Sequence, residues 1–157
     1  LEFKDEVAQA IVAMKNNANF TLLESFVQFG CHQIAQIQAD VIVPIPIYWK
    51  NQLRRGYNLP NVIAATIAKS LNIPVVNLLS KHRPTQIQHS LKSEQRKKNV
   101  ANCFKVNKLG LNNKTKILLI DDVATTMSTL NEASRMLKQQ KFKSIYCYTI
   151  AKTTLSS

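Results

Sequence analysis

The stretch KILLIDDVATTMST, residues 116–129, decides the fold. Ile117, Leu118, Leu119 and Ile120 form a short apolar run that ends in two adjacent acids, Asp121 and Asp122. Small and hydroxyl-bearing residues follow, from Ala124 through Thr125, Thr126, Met127, Ser128 and Thr129. Residues 128–139 then read as an amphipathic helix, with Leu130, Ala133, Met136 and Leu137 on one face. The pattern predicts a buried strand that feeds a loop at a helix N-terminus. Such a loop offers unpaired backbone N–H groups and the positive end of a helix dipole, a seat for phosphate. Thr125, Thr126, Ser128 and Thr129 add hydroxyl donors. The two acids stand where they would hold a sugar's hydroxyls or a magnesium ion.

Working outward, helical spacing is expected over 3–14, where Phe3, Val7, Ala10, Ile11 and Met14 share a face, and again over 22–37. Residues 40–44 read as a short buried strand, followed by a basic loop over 45–57. Asn58 and Pro60 mark the start of a helix running to about Leu71, and Asn72 and Pro74 punctuate its end. Further strands are expected at 74–79, 104–106, 116–121 and 144–150. A mobile loop is expected at 81–92, a short helix at 93–99 and a turn at 110–113. Strands alternating with helices imply one α/β domain spanning 1–157, with a parallel sheet and right-handed crossovers. Ligands bind such sheets at the carboxyl ends of the strands. That rule gathers 44–58, 81–92 and 121–129 on one rim.

The rim is basic. Lys50, Arg54 and Arg55 present cations beside Gly56, which permits positive φ or close backbone approach. Arg forks suit bidentate phosphate contact. Trp49 and Tyr57 flank these cations, so Trp49 either packs inward or offers a ring on which a base stacks. Residues 81–99 hold six Lys or Arg against Glu94 alone. Such a run is usually a solvated face, but here it falls on the ligand rim.

Composition agrees with a packed domain: 157 residues, 45% of them hydrophobic. The formal net charge of +12, from 21 basic residues against 9 acids, favours a polyanionic partner. Cys31, Cys103 and Cys147 lie far apart with no C-x-x-C pair, which supports reduced, buried thiols over a zinc knuckle or disulfide framework. No apolar run is long enough to span a bilayer, and no signal peptide is visible. His32, His82 and His89 form no pattern with Ser and Asp that suggests nucleophilic hydrolysis.

The 116–129 stretch resembles the phosphoribosyl pyrophosphate loop of type I phosphoribosyltransferases, in which two acids precede a Thr-Thr-Gly-x-Thr turn. Here Met127 occupies the usual Gly position, which takes freedom from the backbone and brings a bulky side chain into the loop. The wider order of motifs resembles the ComF family. It comprises VPIP at Val43 to Pro46, then Trp49 with RRGYN at Arg54 to Asn58. Arg83, Thr85 and Gln88 follow, then Leu91 with Arg96, Asn99 and Val100, then Phe104, and last LLIDDVATT.

The resemblance implies a type I phosphoribosyltransferase-like fold and a competence factor for DNA uptake. Such a factor acts on incoming single-stranded DNA at the cytoplasmic side of the inner membrane, beside membrane-associated DNA-translocation proteins. Asp121 and Asp122 would meet the ribose hydroxyls or magnesium, and residues 124–129 the 5′-phosphate. Lys50, Arg54, Arg55, Gly56, Tyr57, Arg83, Gln88 and Arg96 would face pyrophosphate or DNA, with 83–88 as a flap. Family members often carry an N-terminal four-cysteine zinc module; this sequence holds no such cysteines, so zinc is not expected in it. The catalytic residues stay unassigned. A working phosphoribosyltransferase with an unidentified acceptor and plain nucleobase salvage remain alternatives to a DNA-handling module.

Overall fold

The apolar run that ends in the acid pair is the middle strand of a three-stranded parallel sheet. The computed structural model describes residues 21–50, 53, 56–85, 93–124 and 126–152. Its elements are α1 (Thr21–Ile37), β1 (Val41–Pro44), α2 (Leu59–Leu71), β2 (Leu79–Lys81), α3 (Ser93–Val100), β3 (Phe104–Val106), β4 (Ile117–Ala124), α4 (Ser128–Gln139) and β5 (Ile145–Lys152). The helix expected over 3–14 lies outside the described residues.

The sheet order is β1-β4-β5, with both pairings parallel. Val41 stands opposite Ile117, and Ile117 opposite Ile145. A parallel sheet is covered on both faces, so its strands are apolar throughout and do not alternate with polar residues. Successive side chains still point to opposite faces. Ile42, Leu118 and Ile120 join one core cluster with Leu23, Val27, Ile34, Ile63 and Ile67 of α1 and α2. Val41, Val43, Ile117 and Leu119 join the other, with Leu130, Ala133 and Leu137 of α4 and Phe104 of β3. The face expected to turn inward on α4 is therefore the one that does so, with Met136 packed at its margin.

The stretch expected as a strand over 74–79 divides in two. Val75 makes one isolated parallel bridge with Ile42, through Ile42 N–H to Pro74 O at 2.9 Å and Val76 N–H to Ile42 O at 2.8 Å. Leu78 N–H then donates to Val76 O at 2.9 Å, a tight turn that carries the chain out of the sheet. Leu79–Lys81 pairs instead with β3, antiparallel, in a separate two-stranded sheet. Pro74, which brings no N–H to a ladder, and the turn at Val76 leave room for a single bridge.

Turn chemistry sets the helix ends. Asn72 caps α2 in a left-handed conformation (φ 53°), and its N–H reaches Ala68 O. In α1, Gly30 lets the helix lie on Tyr148 of β5. A Cβ there would sit 2.3 Å from the Tyr148 hydroxyl oxygen and 2.8 Å from ring carbon Cζ.

Candidate functional site

The acid pair lies on the strand itself. β4 continues through Asp121 and Asp122 to Ala124, with Asp121 opposite Thr149 and Ala124 opposite Lys152. The loop expected to begin at Asp121 is thus only the short link between Ala124 and Ser128. One oxygen of each carboxylate turns back on the chain: Asp121 Oδ1 accepts the Asp122 N–H at 2.9 Å, and Asp122 Oδ1 accepts the Val123 N–H at 2.7 Å. These short bonds hold both groups at the carboxyl end of the sheet.

Two hollows meet at Asp121. One is an open cleft of about 380 Å³, counting solvent at its mouth; Ile45, Ile47, Tyr57, Asn58, Asp121 and Asp122 are among the residues lining it. The other is lined by Asp121, Val123, Ala124, Met127, Ser128, Thr129 and Leu130. Asp121 therefore borders both the cleft and the hydroxyl turn, and Tyr57 is brought to the cleft from the basic loop.

Met127 sits at the N-cap of α4 with φ 57° and ψ 6°. It adopts the left-handed conformation that glycine takes without steric cost. Its side chain packs against the α4-side core cluster. The first N–H groups of α4 have no partner inside the helix and face the turn. Ser128 is buried, and its hydroxyl lies 2.7 Å from that of Thr126.

Gly56 has φ 78°, and a Cβ there would meet nothing within 4 Å. Its requirement for glycine is conformational and owes nothing to space. Asn58 is 4% exposed and occupies the N-cap of α2, yet its side chain does not cap the helix. Its Nδ2 donates to Ile45 O at 3.0 Å and Asn61 Oδ1 at 3.1 Å. The residue therefore fastens the end of β1 to α2 and closes the cleft wall from below.

Trp49 is 54% exposed, which excludes the inward-packed reading. Its ring lies 5.8 Å from that of Tyr48, and the Lys50 ammonium lies 5.4 Å from the ring centre. Leu53 is 75% exposed. Arg83 donates from Nη2 to Ala101 O, which ties the base of the expected flap to the turn after α3. Arg96 stands on α3. Its side chain, together with Arg54, Arg55, Gln88 and Thr125, lies outside the described residues.

Lys81 falls in the stretch expected as a mobile loop, yet it belongs to a strand. It ends β2 half-buried, with Nζ donating to Thr85 Oγ1 at 2.9 Å and lying 5.8 Å from the Phe104 ring centre. Burial pushes its pKa down, against the pull of Cys103 and Asp121 and with the push of Arg83. The alternation of Leu79, Ser80 and Lys81 was the available signal, since it sets Lys81 on the same side as buried Leu79.

Glu132 holds the neighbouring turn. It is 8% exposed and accepts the Asn102 N–H at 2.6 Å and Arg135 Nε at 2.8 Å. The Arg135 hydrogen bond draws its pKa below the ordinary carboxylate value, over the opposing effect of burial. Of the thiols, Cys103 is buried, Cys31 half-buried and Cys147 exposed, so the expectation of three buried thiols fails at Cys147. That residue lies on β5, an outer strand of the sheet.

A parallel sheet with an acid pair at the carboxyl end of its middle strand, followed by a hydroxyl turn and a helix, defines the type I phosphoribosyltransferase fold. Purine phosphoribosyltransferase from Pyrococcus horikoshii superimposes with a TM-score of 0.56 at 14% identity, covering 86% of this chain and 75% of that one. Adenine phosphoribosyltransferase from Trypanosoma brucei gives 0.58 at 14% identity, covering 89% and 56%. No protein-family model matches the chain.

Within that fold the curated relatives support assignment to the ComF family. It is 34% identical to competence protein F of Haemophilus influenzae over 116 residues, which are 72% of this chain and 50% of that protein. The DNA utilization protein YhgH of Escherichia coli K12 is 26% identical over 115 residues, 73% and 50% of the two chains. Competence protein ComFC of Bacillus subtilis is 21% identical over 155 residues, 96% and 62%. The chain spans about half the length of the first two of these relatives.

Proposed function

We propose that this chain is the phosphoribosyltransferase-fold part of a competence protein of natural transformation. It handles incoming single-stranded DNA on the cytoplasmic side and binds phosphoribosyl pyrophosphate at the same rim. The observation that carries the reading is the cleft shared by Asp121, Asp122 and Tyr57, with the exposed Trp49–Lys50 pair two residues beyond its Ile47 wall. An exposed ring with a cation above it suits stacking on any base, and the cations of the rim suit phosphates. The competence and DNA-utilization names of the relatives support the same reading.

The acid pair would bind the ribose hydroxyls, and the α4 turn the 5′-phosphate. Magnesium is commonly held by one or two carboxylates with ligand phosphates completing its shell, and Asp121 with Asp122 fits that donor set. When bound, it draws charge onto the pyrophosphate. Lys81 is half-buried, and Asp121 is near enough to act against the lowering of its pKa, so the lysine would add a cation on that side.

Calorimetric titration of magnesium phosphoribosyl pyrophosphate into the chain, alone and with single-stranded DNA bound, tests this. Binding that DNA suppresses is expected. Binding indifferent to DNA would separate the two surfaces and overturn the shared rim. Asp121→Asn with Asp122→Asn is expected to abolish the binding; unchanged affinity would remove the pair from the site.

A second reading, a working transferase, is favoured by Asp121, which borders both hollows. In it an acceptor nucleophile bonds to C1 of the ribose as the C1–oxygen bond breaks and pyrophosphate departs with the bond's electrons. Pyrophosphate release, assayed across the common purine and pyrimidine bases, tests this reading and nucleobase salvage together.

A further inference from the structure

The pole of the molecule opposite the cleft is lysine-rich. Lys114 and Lys116 lead into β4, Lys143 leads into β5, and Lys138 and Lys141 flank the end of α4. Backbone hydrogen bonds gather these segments. Ile117 N–H donates to Ser144 O at 2.9 Å, and Lys141 N–H to Lys138 O at 2.9 Å. Lys114, Lys138, Lys141 and Lys143 are exposed, and Lys116 is half-buried.

Among the described residues counter-charge is sparse here. Asp40 reaches the pole, where its Oδ2 accepts the Lys116 N–H at 2.7 Å. Asp121 and Asp122 stand at the other end of β4, Glu132 is bound to Arg135, and Glu24 lies in the first turn of α1. A helix C-terminus attracts cations, which accounts for Lys138 in the last turn of α4. It does not account for Lys114, Lys116 and Lys143, which sit on the approaches to strands.

We propose that this pole is a second docking surface, for the phosphate backbone of single-stranded nucleic acid. Lysines are flexible point charges that neutralise phosphates without reading bases. Their sequence neighbours Asn113, Thr115 and Gln140 are polar and Phe142 is buried in the core, whereas a membrane-surface segment sets an exposed apolar face beside its cations. Six residues of strand at about 3.3 Å each put Lys116 roughly 20 Å from Asp122. A strand held at the cleft therefore has a second, sequence-indifferent hold on the far side of the sheet. The proposal rests on the DNA-handling reading.

The test is binding of a labelled oligothymidylate to the full chain as salt is varied, for wild type and for Lys114→Gln/Lys141→Gln/Lys143→Gln. These side chains are exposed, so the fold is expected to persist, which circular dichroism checks. Three lost phosphate contacts should flatten the log–log salt slope by about 2. Magnesium phosphoribosyl pyrophosphate binding should stay unchanged. An unaltered slope and affinity in the triple variant would overturn this second surface and leave the cleft reading standing. Absence of DNA binding by wild type would overturn both. If the variant keeps its DNA binding but loses co-sedimentation with phosphatidylserine vesicles, the pole faces a membrane and the proposal fails.

Discussion

Met127 stands in a left-handed conformation that costs an ordinary residue about 1–2 kcal/mol, and recovers part of that by packing on the core beside α4. Met127→Gly removes the backbone cost but adds chain entropy of about 1 kcal/mol and loses the packing. Its stability, read by urea unfolding, should stay within about 1 kcal/mol of wild type. Met127→Ile keeps the strained φ with a β-branched side chain and should lose about 1–2 kcal/mol or more. Lys81 behaves in the opposite sense. Burial lowers its pKa, so above the lowered value the unfolded chain binds more protons than the folded one, and stability rises with pH up to lysine's ordinary range. Below that window the penalty is fully present. Lys81→Met keeps the stem without the charge; it should raise the melting temperature at neutral pH, flatten the alkaline rise and weaken phosphoribosyl pyrophosphate binding. A melting temperature that falls would show that the contacts to Thr85 and Phe104 outweigh desolvation.

Elements meet through a few side chains whose loss is measurable. Gly30→Ala drives a Cβ into the Tyr148 ring, and separating α1 from β5 should cost about 1–3 kcal/mol by denaturant midpoint. Tyr148→Ala introduced with it should relieve the clash, so the two changes are expected to be non-additive. Glu132 ties α4 to the turn at Asn102. Its folded pKa is lowered, so its contribution is present above about pH 4.3 and lost as pH falls through the lowered value. Glu132→Gln should therefore cost about 1–2 kcal/mol at pH 7, and the gap should narrow toward pH 3 in urea titrations. The same elements mark what the sequence discloses. The helices at 22–37, 59–71 and 128–139 and the strand at 116–121 follow from apolar periodicity and cap residues, and each lies within a few residues of its expected position. The strand at 74–79 misled, because β-branched residues after a proline read as a strand while the turn at Val76 depends on tertiary context. That Asp121 and Asp122 close an apolar strand ahead of a helix was legible from their neighbours alone. Their place on the strand was not, since it depends on pairing with Thr149 to Lys152, some thirty residues away. Lys81 was hidden among soluble-looking basic residues, because its pairing with Phe104 in a second sheet joins residues 23 apart in sequence.

At the scale of the whole molecule, β4 is the member that both faces share, and its two ends carry different chemistry. One end gathers carboxylates and hydroxyls beside the basic rim, and the other gathers exposed lysines. No helix among the described residues is long and apolar enough to cross a membrane. The parallel sheet also has a consequence in time. β1 finds its partner 76 residues later, as the bond from Lys116 to Asp40 measures, and β5 joins after that. Closing such distant pairings is slow compared with local helix formation. As the chain leaves the ribosome, α1, β1 and α2 are complete while their central strand is still unmade, so the apolar faces of Ile42, Ile63 and Ile67 wait uncovered until β4 emerges. The last third of the chain therefore decides whether the first part becomes a domain or an aggregate.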